Sequence, residues 1–248
     1  MTRVAALADV HGNVPALEAV LAEVPDDAAI VVCGDTAGGP WPSEAVARLR
    51  ELGDRVRWLR GNADVVPPDE LMTSDEERHA VVWNQEQLTP DQREFLEGLP
   101  LTEVVEVEGL GDVLFCHGTP RSDREIVTAA TSDERLLRIL DGVEPRTVVG
   151  GHVHHQFDRR VDGYRWINAG SVGMAYEGRA GAFWALLGPD VEHRHTEYDV
   201  EAMVAAMRET DYPMIDNQTE LLLTDIPKPE FVADFFERQA LEQEAASS

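Results

Sequence analysis

Five short apolar runs in this chain each end in a carboxylate, amide or imidazole beside glycine. Val4–Ala8 leads into Asp9-Val10-His11-Gly12-Asn13, Ala29–Cys33 into Gly34-Asp35, and Arg55–Arg60 into Gly61-Asn62-Ala63-Asp64. Val113–Cys116 leads into His117-Gly118, and Thr147–Val149 into Gly150-Gly151-His152-Val153-His154-His155. Asp9, His11, Asp35, Asn62, His117, His152 and His154 are side chains that bind metal. Imidazole mixed with carboxylate suits Mn, Fe, Co, Ni or Zn, whereas Mg prefers oxygen alone. Seven such groups exceed what one tetrahedral ion takes and match two ions sharing a bridging carboxylate. Two ions about 3.5–4 Å apart can stabilise both the entering and the leaving oxygen of an in-line displacement.

These residues can meet only if the runs are strands whose carboxyl ends lie at one edge, where α/β sheets bind ligands. The pattern between them is consistent with that. Pro15–Glu23 and Ser43–Leu52 read as helices between the first three strands, so the first half alternates β and α and predicts a parallel sheet. The second half is richer in hairpins: Glu103–Val107 with Asp112–Cys116, then Gln156–Arg160 with Tyr164–Asn168 around Asp162-Gly163, a strong turn signal. Ala182–Leu187 and Glu192–Glu197 form a further pair around Gly188-Pro189. That half predicts a mixed or second sheet. Ser132–Leu140, Asp199–Glu209 and Pro229–Glu244 read as helices. The stretch from 65 to 99 is polar and mostly helical, an insertion over one end of the sheet within a single domain spanning 1–248, with C-terminal helices from about 199.

Composition excludes several classes of function. The chain has 248 residues and 47 acidic against 21 basic side chains, a formal charge of −26 that repels nucleic acid and anionic lipid. The apolar runs are far shorter than the roughly 20 residues a membrane span needs. Met1-Thr2-Arg3 shows no signal-peptide pattern. Cys33 and Cys116 fit neither a zinc spacing nor a disulfide framework and are expected to be small buried side chains. A cytoplasmic location is the expectation. Neither long nucleic acid nor membrane is an expected partner, and self-association is left open.

Asp9-Val10-His11, Gly34-Asp35, Gly61-Asn62, His117-Gly118 and Gly151-His152-Val153-His154 resemble, in order and interval, the five motifs of the calcineurin-like metallophosphoesterase superfamily. Asn168-Ala169-Gly170-Ser171 resembles a segment of its compact bacterial phosphodiesterase branch. The resemblance implies a four-layer α/β/β/α sandwich of two mixed sheets flanked by helices. It implies that Asp9, His11 and His154 hold one divalent ion, that Asn62, His117 and His152 hold a second, and that Asp35 bridges them, with Mn foremost and Fe, Zn, Ni or Co as alternatives. It further implies direct attack on phosphorus by a hydroxide bridging the two ions, with Asn62 and His117 at the reacting centre. Many members carry His after the third-motif Asn, where it assists the leaving group. This chain carries Ala63, so water, Asp64 or His155 remain as proton sources.

The activity the resemblance implies is hydrolysis of a small phosphodiester, so the expected partner is a small phosphorylated substrate. A phosphomonoesterase, nucleotide or protein phosphatase, and a non-catalytic scaffold of the same fold are the alternatives. Arg121, just beyond His117, either holds the substrate phosphate bidentately or pairs with Asp123 or Glu125. Asn13 is expected to cap the helix at Pro15. His155 is expected beside the site or at the surface, and His79, His193 and His195 in solvent. Trp41, Trp83 and Tyr176 either pack or stack on a base. The acidic run Asp69–Glu77 is expected to be a solvated face.

Overall fold

The computed structural model describes residues 2–72 and 74–246. Ten strands form two five-stranded mixed sheets among these residues. The first sheet begins with β1 (Val4–Leu7), α1 (Val14–Glu23), β2 (Ala29–Cys33), α2 (Pro42–Arg50) and β3 (Val56–Leu59). Its three strands run parallel, β1 beside β2 and β2 beside β3. The insertion follows as α3 (Asp75–Gln87) and α4 (Pro90–Glu97). The second sheet is built from β4 (Thr102–Val107), β5 (Gly111–Cys116), β6 (Thr147–Gly150), β7 (Phe157–Val161) and β8 (Tyr164–Asn168), with α5 (Asp133–Ile139) between β5 and β6. Its order is β4-β5-β6-β8-β7, with β5, β6 and β8 parallel. The chain then returns to the first sheet. There β9 (Ala182–Leu187) pairs antiparallel with β1, and β10 (Val191–Thr196) closes the edge. It ends in α6 (Val200–Met207), α7 (Ile215–Thr219) and α8 (Pro229–Ala246).

The alternation of side chains along each strand explains the layering. On β1, Val4 and Ala6 face the second sheet while Ala5 and Leu7 face the helices. Val31 and Cys33 on β2 meet Phe115 and Val149 in the same inter-sheet core. Ile30 and Val32 pack with Leu17 and Val20 of α1 and Leu49 of α2. On the far side, Leu114, Val148 and Trp166 pack under Leu136 and Ile139 of α5 and Ala240 of α8. Both central sheets are thus apolar on both faces, which is why their strands read as continuous apolar runs. Cys33 and Cys116 are buried free thiols.

Local sequence explains the insertion and its acidic run, whereas two other features depart from the sequence expectations. The insertion divides into α3 and α4 because Thr89 caps α4 with a capping box to Gln92. The acidic run supplies Asp75, Glu76 and Glu77 to the first turn of α3, where the helix dipole favours negative charge, behind the Ser74 cap. The segment 215–224, polar and without clear periodicity, is nevertheless helical, its last five residues in a wide π turn. Leu222, Met214 and Ile215 gain their burial from α6 and from Trp41 and Trp83, contacts that no local pattern encodes. His195 is not free in solvent: its ring stacks on Phe183 at 4.6 Å and its Nε2 meets the Ala180 carbonyl at 3.1 Å. No helix among the described residues is long and apolar enough to cross a membrane.

Candidate metal centre

The carboxyl ends of β1, β2, β3, β5 and β6 deliver the seven ligand-type residues to one edge shared by both sheets. Asp9, His11, Asp35, His152 and His154 all sit in the left-handed backbone region, with φ between 45° and 72°. Such conformations are uncommon for residues with a Cβ and persist only where the surroundings hold them. Here the loops hold one another. His11 N–H donates to the Asp35 carbonyl at 2.9 Å, and Asp9 N–H to the Gly34 carbonyl at 3.1 Å. Val172 and Gly173 donate to the carbonyls of Ala8 and Asp9, and Ser171 Oγ donates to the same Asp9 carbonyl. Asn168 donates to the Gly151 carbonyl at 2.6 Å, so the Asn168–Ser171 segment braces two ligand loops at once.

Two sets of donor atoms result. Asp9, His11 and His154 form one, and Asp35, His117 and His152 the other, each with its ligand atoms within 4.8 Å of one another. The Asp35 carboxylate stands between them: Oδ2 lies 3.7 Å from His11 Nε2 and 3.4 Å from His117 Nε2. Asn62 Oδ1 lies 3.1 Å from His117 Nε2. All of these carboxylates and imidazoles are buried except His152, which is half-buried.

The donor set fits divalent cations. His117 Nδ1 lies 2.8 Å from the Cys33 carbonyl and His154 Nδ1 2.7 Å from the Met174 carbonyl. Each ring donates there, which turns its Nε2 lone pair into the site, the arrangement that orients metal-bound histidines. His11 Nε2 and His154 Nε2 then face each other at 3.1 Å. Two ligands at right angles on one ion, each about 2.1 Å away, stand about 3 Å apart. Asp9 Oδ1 is buried without a hydrogen-bond partner, and a buried orphan acceptor is costly unless something positive meets it. The Asn62 amide reads the same way. Without a cation it would be better reversed, its nitrogen 2.9 Å from His152 Nδ1; a cation favours the oxygen there.

The electrostatics are those of strongly coupled groups. Burial opposes the charged form of His117, but the adjacent Asp35 carboxylate prevails and pushes the imidazole up to about 10. Burial also opposes the Asp35 anion, yet His117 and His11 hold it well below the ordinary carboxylate range. Desolvation first, and the neighbouring His117 charge second, push the half-buried His152 down to about 3. The Asp35 and Asp9 carboxylates thus favour positive charge at the site.

The residues around the set fall into place differently from one another. Asn13 caps α1, accepting from Ala16 N–H at 3.2 Å, and also donates to Gly173 and Tyr198. Arg121 lies in a two-pronged ion pair with Glu125, at 2.8 and 2.6 Å, and is largely exposed. Asp64, weighed as a proton source, is buried, and its carboxylate accepts three backbone N–H bonds, from Asp35, Ala37 and Gly61, at 2.8–3.0 Å. It ties the β2 loop to the β3 loop and is sequestered from the leaving group. Burial first, and the nearby Asp35 second, push it up to about 7. His155 is engaged by Glu177 at 3.2 Å. Trp83 packs on Tyr212, and Tyr176 stacks on His154 at 4.7 Å. Arg124, which contacts the Asn62 carbonyl at 3.3 Å, escaped sequence reasoning because it lies in no spaced motif.

Beside Asn62 and Ala63 opens a cavity of about 200 Å³, walled by Val81 and Asn84 of α3 and by Tyr212 and Met214. A second concavity of about 330 Å³ lies between Arg60, Val66 and Glu97. Arg124 and Val65 line both.

Residues 2–187 match the family model of the calcineurin-like phosphoesterase superfamily domain. The chain belongs to that superfamily. A metallophosphoesterase from Sphaerobacter thermophilus superposes with a TM-score of 0.70 at 26% identity, over 88% of this chain and 98% of that one. A hypothetical protein from Pyrococcus horikoshii gives 0.76 at 24%, over 90% and 98%. A Saccharomyces cerevisiae serine/threonine phosphatase shares the fold alone, at 0.53 and 12%, over 80% of each chain. No functionally curated protein matches the sequence.

Proposed function

We propose that the protein hydrolyses small phosphate esters with two divalent metal ions, and diesters ahead of monoesters. The observation that carries this reading is the Asp35 carboxylate standing between two buried ligand sets. Asp9, His11 and His154 would hold one ion, Asn62, His117 and His152 the other, and Asp35 both, with Mn foremost among the candidates. When bound, the ions supply the positive charge that acidifies water and offsets charge on the phosphoryl oxygens.

The chain's own contribution is positioning. His117 and His154 are locked by carbonyl acceptors, and Asp64 and Ser171 fix the loops that carry Asp35 and Asp9. The cavity beside Asn62-Ala63, and a second concavity that shares Val65 and Arg124 with it, support a phosphorus bearing two organic arms. Ala63 has no proton to give, Asp64 is sequestered and His155 is held by Glu177, so the leaving oxygen takes its proton from water.

The test pairs metal analysis of protein purified without chelator with turnover of bis(p-nitrophenyl) phosphate and p-nitrophenyl phosphate in added Mn. About two ions per chain and faster diester turnover are expected. Asp35→Asn should lower bound metal and reduce turnover at least about a hundredfold, the scale of losing one key electrostatic group. Near-normal turnover in that variant would sink the two-ion assignment, and absence of tight metal and of turnover would leave a scaffold role.

A further inference from the structure

Arg124 is the cation next to the metal centre. Its guanidinium reaches the backbone carbonyl of Asn62, the residue whose amide faces the second ligand set. The cations around it are committed elsewhere: Arg121 to Glu125, Arg60 to Asp123, Arg135 and Arg138 to Glu244. Arg124 makes no ion pair among the described residues, although the chain carries more than twice as many acids as bases. It stands where three concavities meet: the cavity beside Ala63, the concavity against Glu97, and a groove beneath α8. A half-buried guanidinium without a carboxylate, at the junction of open spaces beside a phosphoryl-transfer site, suits a phosphate oxygen as partner.

Resting on the proposed hydrolase reading, we infer that Arg124 anchors the substrate phosphate and that the cavity between α3 and Tyr212–Met214 seats one compact organic arm. The cavity's about 200 Å³ is room for about seven solvent-sized groups at roughly 30 Å³ each. A glyceryl-sized arm matches that space, whereas a nucleoside would have to extend out of it into the adjoining concavities. The wall is mixed, apolar at Val65, Pro67 and Val81 and polar at Asn84 and Gln85, as suits a short polyol. The site is therefore selective for small polar esters over nucleotides, and phosphate binding falls to Arg124, not Arg121.

Binding calorimetry on the Mn-loaded protein tests this with three probes: inorganic phosphate, glycerol 1-phosphate and thymidine 5′-phosphate. Arg124→Gln should weaken inorganic phosphate about tenfold or more, the scale of one charge-assisted hydrogen bond, with metal content unchanged. Arg124→Lys should recover part of that loss, and Arg121→Gln should keep wild-type affinity. Ala80→Phe, which fills the cavity from α3, should weaken glycerol 1-phosphate several-fold and leave inorganic phosphate unchanged. Wild-type protein should bind thymidine 5′-phosphate no more tightly than inorganic phosphate. Unchanged phosphate affinity in Arg124→Gln, or equal effects of Ala80→Phe on both small probes, overturns the inference. Because these measurements read binding, a protein that behaves as stated yet turns over no ester removes the hydrolase reading alone. Ester turnover with wild-type KM in Arg124→Gln removes this inference alone.

Discussion

At the scale of residues, neighbours of similar chemistry have divided roles. Arg121 and Arg124 are three positions apart, yet one closes a two-pronged pair with Glu125 and the other leaves its charge at the centre. Glu125 is half-buried, which opposes its anion. Arg121 and the Thr119 hydroxyl outweigh this and hold the carboxyl below its ordinary value. A lowered folded pKa stabilises above the unfolded value, about 4.3, and that stabilisation is lost as pH falls through the folded value. Arg121→Gln should therefore cost under about 1 kcal/mol at pH 7, since the guanidinium is largely in water. The difference from wild type should shrink at a pH well below the unfolded value. Denaturant melts at the two pH values measure it, and an undiminished gap at low pH would show that packing, not charge, is lost.

At the scale of elements, the unit of function is the strand end with its loop, and the loops support each other across the two sheets. Gly61 shows how tightly. A Cβ there would overlap both the backbone nitrogen and the Oδ1 of Asp35, so the β3 and β2 loops touch at bare backbone. Gly34, at φ +83°, faces Gly61 from the other side and would press a Cβ onto His117 Nδ1. Gly61→Ala should displace Asp35 and cut bound metal to less than half of wild type while the fold survives. Metal analysis alongside far-ultraviolet circular dichroism checks this; full metal content would mean the loops can part without moving Asp35. The motif glycines were legible as a pattern, but the reason at Gly61 is a contact between loops remote in sequence.

At the scale of the whole molecule, seven ligand-type residues from five strand ends converge on an edge that exists only in the folded state. Metal should therefore stabilise the native protein by mass action, since the unfolded chain cannot hold the set together. Adding Mn to chelator-treated protein should raise Tm by several degrees, at about 2–4 °C per kcal/mol for a chain of this size. Asp35→Asn should lose most of that rise. An unchanged Tm on Mn addition would mean that the ligands do not bind the ion, however well they are placed.

Strand ends, the ligand-type residues beside them and the change from β-α alternation to hairpins were legible in the chain, because each is a local pattern of apolar run, glycine and polar residue. The α1 cap at Asn13 was legible for the same reason. Segment 215–224, the stacking of His195 on Phe183, the sequestration of Asp64 and the exchange of roles between Arg121 and Arg124 were not. Each depends on a partner tens of residues away, or on which of several carboxylates an arginine reaches first. The sequence by itself determined which side chains could bind metal and in what order the strands deliver them. Tertiary structure decided which cation was left unpaired beside them and how much space lies next to it, because ion pairing and cavity volume follow from distances that spacing along a chain does not contain.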